Sequence, residues 1–145
     1  MTTSLKEAVA DPATADAIAK DLAGVVDAEV SDKKGLSGTA LRTAFGAAKK
    51  VKPQLVERAT ATLLPEFASA LDPLWSSKPE GTSFGAHLSA NSDVASDALL
   101  SITDAQSQSA PQALQKVYGT LRGKAKDNVI EALPRVGDVF DKHVH

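Results

Sequence analysis

The 145-residue chain has no cysteine. That excludes disulfides and thiolate chemistry, nucleophilic or metal-binding, and agrees with a reducing compartment. Aromatic residues are scarce, at four Phe, one Trp and one Tyr. A core must therefore be built from Leu, Val and Ala, with Phe45, Phe67, Phe84, Phe140, Tyr118 and Trp75 filling its larger gaps. No segment approaches the roughly 20 consecutive apolar residues of a membrane span, and Met1-Thr2-Thr3-Ser4-Leu5-Lys6-Glu7 holds no apolar signal core. A soluble cytoplasmic protein is expected. The three histidines are badly placed for a metal site: His143 and His145 diverge on a helix, Asp141 and His145 share a face only in a fraying turn, and His87 stands beside Phe84 and Leu88. Phosphate-loop and dinucleotide glycine spacings are missing, as is the E-x-x-H of di-iron bundles, and no nucleophile elbow is expected. Asp93 and Asp97 share a helix face, but their serine-rich surroundings point to solvent. No catalytic residue, metal or cofactor is expected.

What the chain does have is alanine, its commonest residue, and apolar side chains recurring at the helical period. The predicted fold class is all-α, a compact domain of about eight helical segments. Ser4-x-x-Glu7 is a capping box, and Asp11-Pro12 sets a cap before a first-turn proline. Ile18, Leu22, Val25, Val26 and Val30 then fall on one face, ended by Lys33-Lys34-Gly35. Ser37 is read as the cap of the next helix, with the stripe Leu41, Ala44, Phe45 and Ala48. Pro53, Pro65 and Pro134 each predict a break or kink, since proline removes a backbone donor and restricts the residue before it. Ser83 caps a short piece carrying Phe84 and Leu88, and Asn91-Ser92 opens a helix striped by Val94, Ala98, Leu99 and Ile102.

The two halves look like copies of one four-helix unit. Ala40-Leu41-x-x-Ala44-Phe45-Gly46 returns as Ala113-Leu114-x-x-Val117-Tyr118-Gly119 at an offset of 73. Upstream, Leu22 and Asp27-Ala28 match Leu99 and Asp104-Ala105 at 77; downstream, Leu64-Pro65 and Leu71-Asp72 match Leu133-Pro134 and Phe140-Asp141 at 69. Each shift of four residues is close to a helical turn and keeps buried faces in phase. The simpler alternative is two similar sets of amphipathic helices. The expected organisation is a single domain over 1–145, with repeats at 11–75 and 83–145 and a linker at 76–82. Gly46, Gly119 and Gly85, each after an aromatic residue, predict close helix–helix approach.

Asp32-Lys33-Lys34-Gly35-Leu36-Ser37-Gly38, Ala47-Ala48-Lys49-Lys50-Val51-Lys52-Pro53 and Leu63-Leu64-Pro65-Glu66-Phe67 are distinctive as a set. So are Asp72-Pro73-Leu74-Trp75, Ser83-Phe84-Gly85 and Ala132-Leu133-Pro134-Arg135. Together they resemble a family of small bacterial proteins, frequent in high-GC Gram-positive bacteria and catalogued as a domain of unknown function. The resemblance implies a free-standing helical protein and supplies no substrate, cofactor or catalytic residue.

Net charge is only −2, yet it is uneven: residues 1–32 hold 2 basic and 7 acidic side chains, 33–58 hold 7 and 1, 59–115 hold 1 and 6, and 116–145 hold 6 and 4. Internal pairing between helices of opposite sign accounts for this most simply. The first functional reading is a non-enzymatic interaction or scaffold protein that holds an acidic partner through Arg42, Lys49, Lys50 and Lys52, with Arg122, Lys124 and Lys126 in the second half. Cations at helix C-termini need no such partner, because the macrodipole stabilises them. Nucleic acid is disfavoured by the negative total charge and the lack of aromatics among the lysines. Self-association between chains stays open. The second reading is a carrier or sensor of an acyl chain or other apolar small molecule, held between helices near Phe45, Trp75 and Tyr118 with lysines at the rim. For Trp75 and Tyr118, core packing with the polar tip satisfied is the plainer alternative.

Overall fold

A computed structural model of the chain describes residues 4–33, 35–51 and 54–144, apart from the side chains of Leu36 and Ser37. Among the described residues there are seven helices and no strand: α1 (Leu5–Ala10), α2 (Pro12–Asp32), α3 (Gly35–Val51), α4 (Leu55–Ser77), α5 (Phe84–Ala90), α6 (Ser92–Ser107) and α7 (Gln112–His143).

Local chemistry sets most of the helix ends. Ser4 Oγ accepts from Glu7 N–H at 3.1 Å, and Asp11 Oδ2 accepts from Thr14 N–H at 3.1 Å with Pro12 in the first turn. α5 starts the same way on Ser83, whose Oγ accepts from Ala86 N–H. α2 stops at Asp32, and Gly35 takes φ +75°, which a Cβ would oppose. α3 begins at Gly35 itself, so Ser37 lies within the helix and not at its cap. Asn91 heads α6 without a capping bond; its amide donates backwards to His87 O at 2.9 Å.

Two expected breaks do not occur. α4 passes through Pro65 and Pro73, and α7 passes through Pro134. An interior proline costs about 3 kcal/mol, but fully burying one large apolar side chain returns about 1.5–3 kcal/mol. Leu64, Ala68, Leu71 and Trp75 keep one face of α4 in the core while both proline rings face solvent. Burial outweighs the lost bonds. α3 ends at Val51 and α4 starts at Leu55, after Gln54 in the left-handed region at φ 61°; Lys52 and Pro53, where a further break is expected, lie outside the described residues. α7 runs unbroken for 32 residues, about 48 Å, with Pro134 in its last third.

Around this long helix the core forms from Leu5, Ile18, Leu64, Leu71, Leu88 and Leu133, all essentially inaccessible. Trp75 meets Phe84 edge-on at 5.0 Å between ring centres, and Phe84 meets Phe140 at 6.0 Å. The aromatic residues thus divide. These three fill the core, whereas Phe45, Phe67 and Tyr118, expected beside them, are only half-buried. On α6 the expected stripe is displaced: Val94 is 62% exposed, and Ala95, Ser96 and Leu100 turn fully inward.

Glycine supports close approach at one of the three expected positions. A Cβ on Gly85 would lie 2.6 Å from Pro134 O, and one on Gly137 would lie 2.1 Å from Gly85 N, so α5 and α7 cross backbone against backbone. Gly46 and Gly119 meet nothing within 4 Å and face solvent. Their neighbours Phe45 and Tyr118 turn inward, which sends the next residue, a third of a turn on, outward. Two aspartates matched in sequence do hold parallel places. Asp72 Oδ1 accepts from Leu5 N–H at 2.9 Å at the head of α1, and Asp141 Oδ2 accepts from Phe84 N–H at 2.8 Å at the head of α5.

Candidate functional site

The half-buried aromatics border a cavity walled chiefly by α2, α3, α4, α6 and α7. It comprises two adjoining chambers of about 350 and 470 Å³. Val26, Phe45, Thr60, Phe67, Tyr118 and Leu121 are among the residues common to both. The apolar face of α2 explains one wall. Ile18 and Leu22 are buried in the core, and further along the same face Val25, Val26 and Val30 reach the first chamber half-covered. α7 supplies the opposite wall with Leu121, Ala125, Val129 and Val136.

Polar groups in these walls are mostly satisfied by the protein itself. Thr60 Oγ1 donates to Val56 O at 2.6 Å, so its methyl and not its hydroxyl is free for apolar contact. Glu29 and Lys33 are the charged residues of the first chamber; Glu29 Oε1 lies 3.2 Å from Arg135, and Lys33 pairs with Glu131. Tyr118 OH donates to Asp104 Oδ1 at 2.5 Å and lies 2.8 Å from Thr103 Oγ1. Arg122 clasps both oxygens of Asp104, at 2.9 and 3.2 Å. The bond from Arg122 and then that from Tyr118 hold the Asp104 carboxyl below the usual range. Burial, followed by the neighbouring carboxylate, pushes the Tyr118 phenol up. This network fixes the Tyr118 ring as a rigid part of the wall.

The basic residues singled out in the sequence do not form one patch. Arg42 donates to Lys33 O at 2.7 Å, and Lys49 lies 3.3 Å from Asp27. Lys126 sits between Asp93 and Asp97 at 3.4 and 3.2 Å, so this carboxylate pair serves an ion pair. Lys50 and Lys124 are exposed on α3 and α7, and Lys52 lies outside the described residues. α7 carries all of the second basic group and packs against both α2 and α6, the acidic helices. Arg135 bridges Glu29 and Asp32 on α2, and Lys142 and His143 meet Asp21 at 3.5 and 2.6 Å.

Of the apolar candidates, Phe45 and Tyr118 line both chambers. Trp75 lines neither; it is buried in the aromatic core, with Lys78 Nζ 4.6 Å from its ring centre. Sequence reading passed over Phe67, Thr60 and Arg58 as wall residues, and only the surplus width of the α2 stripe at Val25-Val26 signalled an apolar surface too broad for a helix seam. It also passed over Gly81-Thr82-Ser83-Phe84-Gly85, which has the G-x-S-x-G spacing. An elbow needs a strand before the serine; here a loop after α4 leads in, and Ser83 caps α5. His87 bonds Ser77 Oγ at 3.1 Å instead. Among the described residues, no three potential metal ligands come together and no helix is long and apolar enough to cross a membrane.

Fold and site together define an all-α protein with an apolar cavity between its helices. The chain belongs to DUF6918, a family of unknown function whose model matches residues 5–144, in keeping with the resemblance carried by its distinctive segments. No curated protein and no solved structure matches it.

Proposed function

We propose that the protein binds an acyl chain or a similarly slender apolar molecule between its helices, as a carrier or sensor. The two-chambered cavity carries this reading. Its volumes fall within the roughly 300–1,000 Å³ of small-molecule sites, and apolar side chains with a few fixed polar groups line such sites. Val25, Val26, Phe45 and Phe67 remain partly exposed on its walls, a surface that a bound hydrocarbon covers. The cavity also lies between the two halves of the chain, and the parallel places of Asp72 and Asp141, and of Phe45 and Tyr118, support their descent from one unit. Binding of an acidic partner, the first reading from the sequence, has less to rest on. Lys49, Arg122 and Lys126 are already engaged with carboxylates of this chain.

The test is displacement of a polarity-sensitive fluorescent probe by a homologous series of saturated amphiphiles. Each buried methylene contributes about 0.8 kcal/mol, so affinity should rise about fourfold per carbon and then level off when the chambers are full. Val26→Trp, which places a large side chain at a wall shared by both chambers, should abolish binding without unfolding the protein. Absence of saturable binding across the series, or an undiminished series in the tryptophan variant, refutes the proposal.

A further inference from the structure

We infer that the ligand is a single-chain amphiphile with an anionic head, and that Arg58 receives that head at the second chamber. This rests on the cavity reading above and adds its polarity. The two chambers differ in character. Charged side chains on the first, Glu29 and Lys33, are neutralised by Arg135 and Glu131. The second has a polar border of Thr62, Gln106, Ser107 and Ser109, and one charged residue, Arg58.

Arg58 is also the exception among the arginines. Arg42 is bonded to Lys33 O, Arg122 to Asp104, and Arg135 to Glu29 and Asp32. Among the described residues, the Arg58 guanidinium has no such partner. Nothing on α4 can supply one: the positions three and four residues away are Leu55, Gln54, Ala61 and Thr62, without a carboxylate. Glu57, adjacent in sequence and about 100° round the helix, forms no ion pair with it. An exposed guanidinium is always charged and offers a planar fork that matches two carboxylate oxygens. The apolar first chamber takes the tail, the hydroxyl- and amide-bordered second chamber takes the head, and Arg58 compensates its charge.

Comparing decanoate with decanol tests this, by isothermal titration of the full chain at low salt. The wild-type protein should prefer the carboxylate by about tenfold, the usual scale for a hydrogen bond to a charged group. Arg58→Gln should erase that preference and leave decanol affinity unchanged, with the far-ultraviolet spectrum intact. Lys50→Gln, an exposed cation outside both chambers, should leave the preference in place. An unchanged carboxylate preference in Arg58→Gln, or equal loss in Lys50→Gln, overturns the assignment of the head group. If decanol binds the wild type as tightly as decanoate, the anionic head is wrong while the cavity stands; if neither binds, the cavity reading falls and takes this with it.

Discussion

Replacing Gly137 by alanine should unfold the protein far more easily than its chemistry suggests. In an open helix position, Gly→Ala stabilises by up to about 1 kcal/mol, because alanine loses less backbone entropy. At Gly137 the added Cβ would stand 2.1 Å from Gly85 N and 2.2 Å from Gly85 Cα. Ordinary contact begins near 3.5 Å, so α5 must retreat by about 1.4 Å. That short helix carries Phe84 and Leu88, both wholly buried, and Phe84 is the middle ring of the Trp75–Phe84–Phe140 stack. Overpacking of this kind costs about 1–3 kcal/mol, and moving two core side chains adds to it. A net loss of about 3 kcal/mol follows. With a urea m-value of about 2 kcal/mol per molar, the midpoint should fall by more than about 1 M. Trp75 is the only tryptophan and lies in the affected stack, so its fluorescence reports the transition without interference. Gly46→Ala and Gly119→Ala, with nothing within 4 Å of the new atom, should move the midpoint the other way by a few tenths of a molar. A Gly137→Ala midpoint at or above wild type would show that α5 and α7 do not cross as described.

Other perturbations read different parts of the structure. Pro65→Ala should stabilise by about 1–2 kcal/mol in the same urea assay, as it returns an N–H to Ala61 O on an exposed helix face at some cost in unfolded-chain entropy; a loss would mean that α4 needs its proline. Asp72→Ala and Asp141→Ala should each cost about 1 kcal/mol by freeing the first N–H of α1 and of α5, and the double variant should show the sum. The Asp104 carboxyl has a native pKa below its unfolded value near 4, so its stabilisation is complete above about pH 4 and lost as pH falls through the native value. Asp104→Asn should therefore flatten the acid limb of stability below about pH 4, and an unchanged limb would count against the Arg122 clasp. Tyr118, the sole tyrosine, should develop phenolate absorbance only above its ordinary value of about 10, since burial favours the neutral phenol. Stability from that neutral phenol is present below about pH 10 and lost as pH rises through the native value. A midpoint at or below free tyrosine would place the ring in solvent.

Features that reside in a few neighbouring residues are legible in the sequence alone. Ser4, Asp11 and Ser83 cap helices because a short side-chain oxygen reaches an N–H two or three residues on, whatever the rest of the chain does. Gly35 takes its positive φ for an equally local reason. Pro65 and Pro134 do not end their helices, because the rule for proline is local and the compensation is not: α4 holds together through residues buried against other helices. The candidate site was half legible. Phe45 and Tyr118 line both chambers, whereas Trp75, just as aromatic, packs into the core. Periodicity tells that a side chain faces inward without telling whether the interior there is filled.

By itself, then, the order of residues determined that this chain is helical, where most helices start, and that acidic and basic segments alternate along it. Only the tertiary structure decided which glycine is a contact, which arginine lacks a partner among the described residues, and which inward face meets a cavity. The reason is one of range. Capping and periodicity act over a single turn, whereas occupancy of the interior depends on five helices meeting at once, and that sum is not written in any one of them.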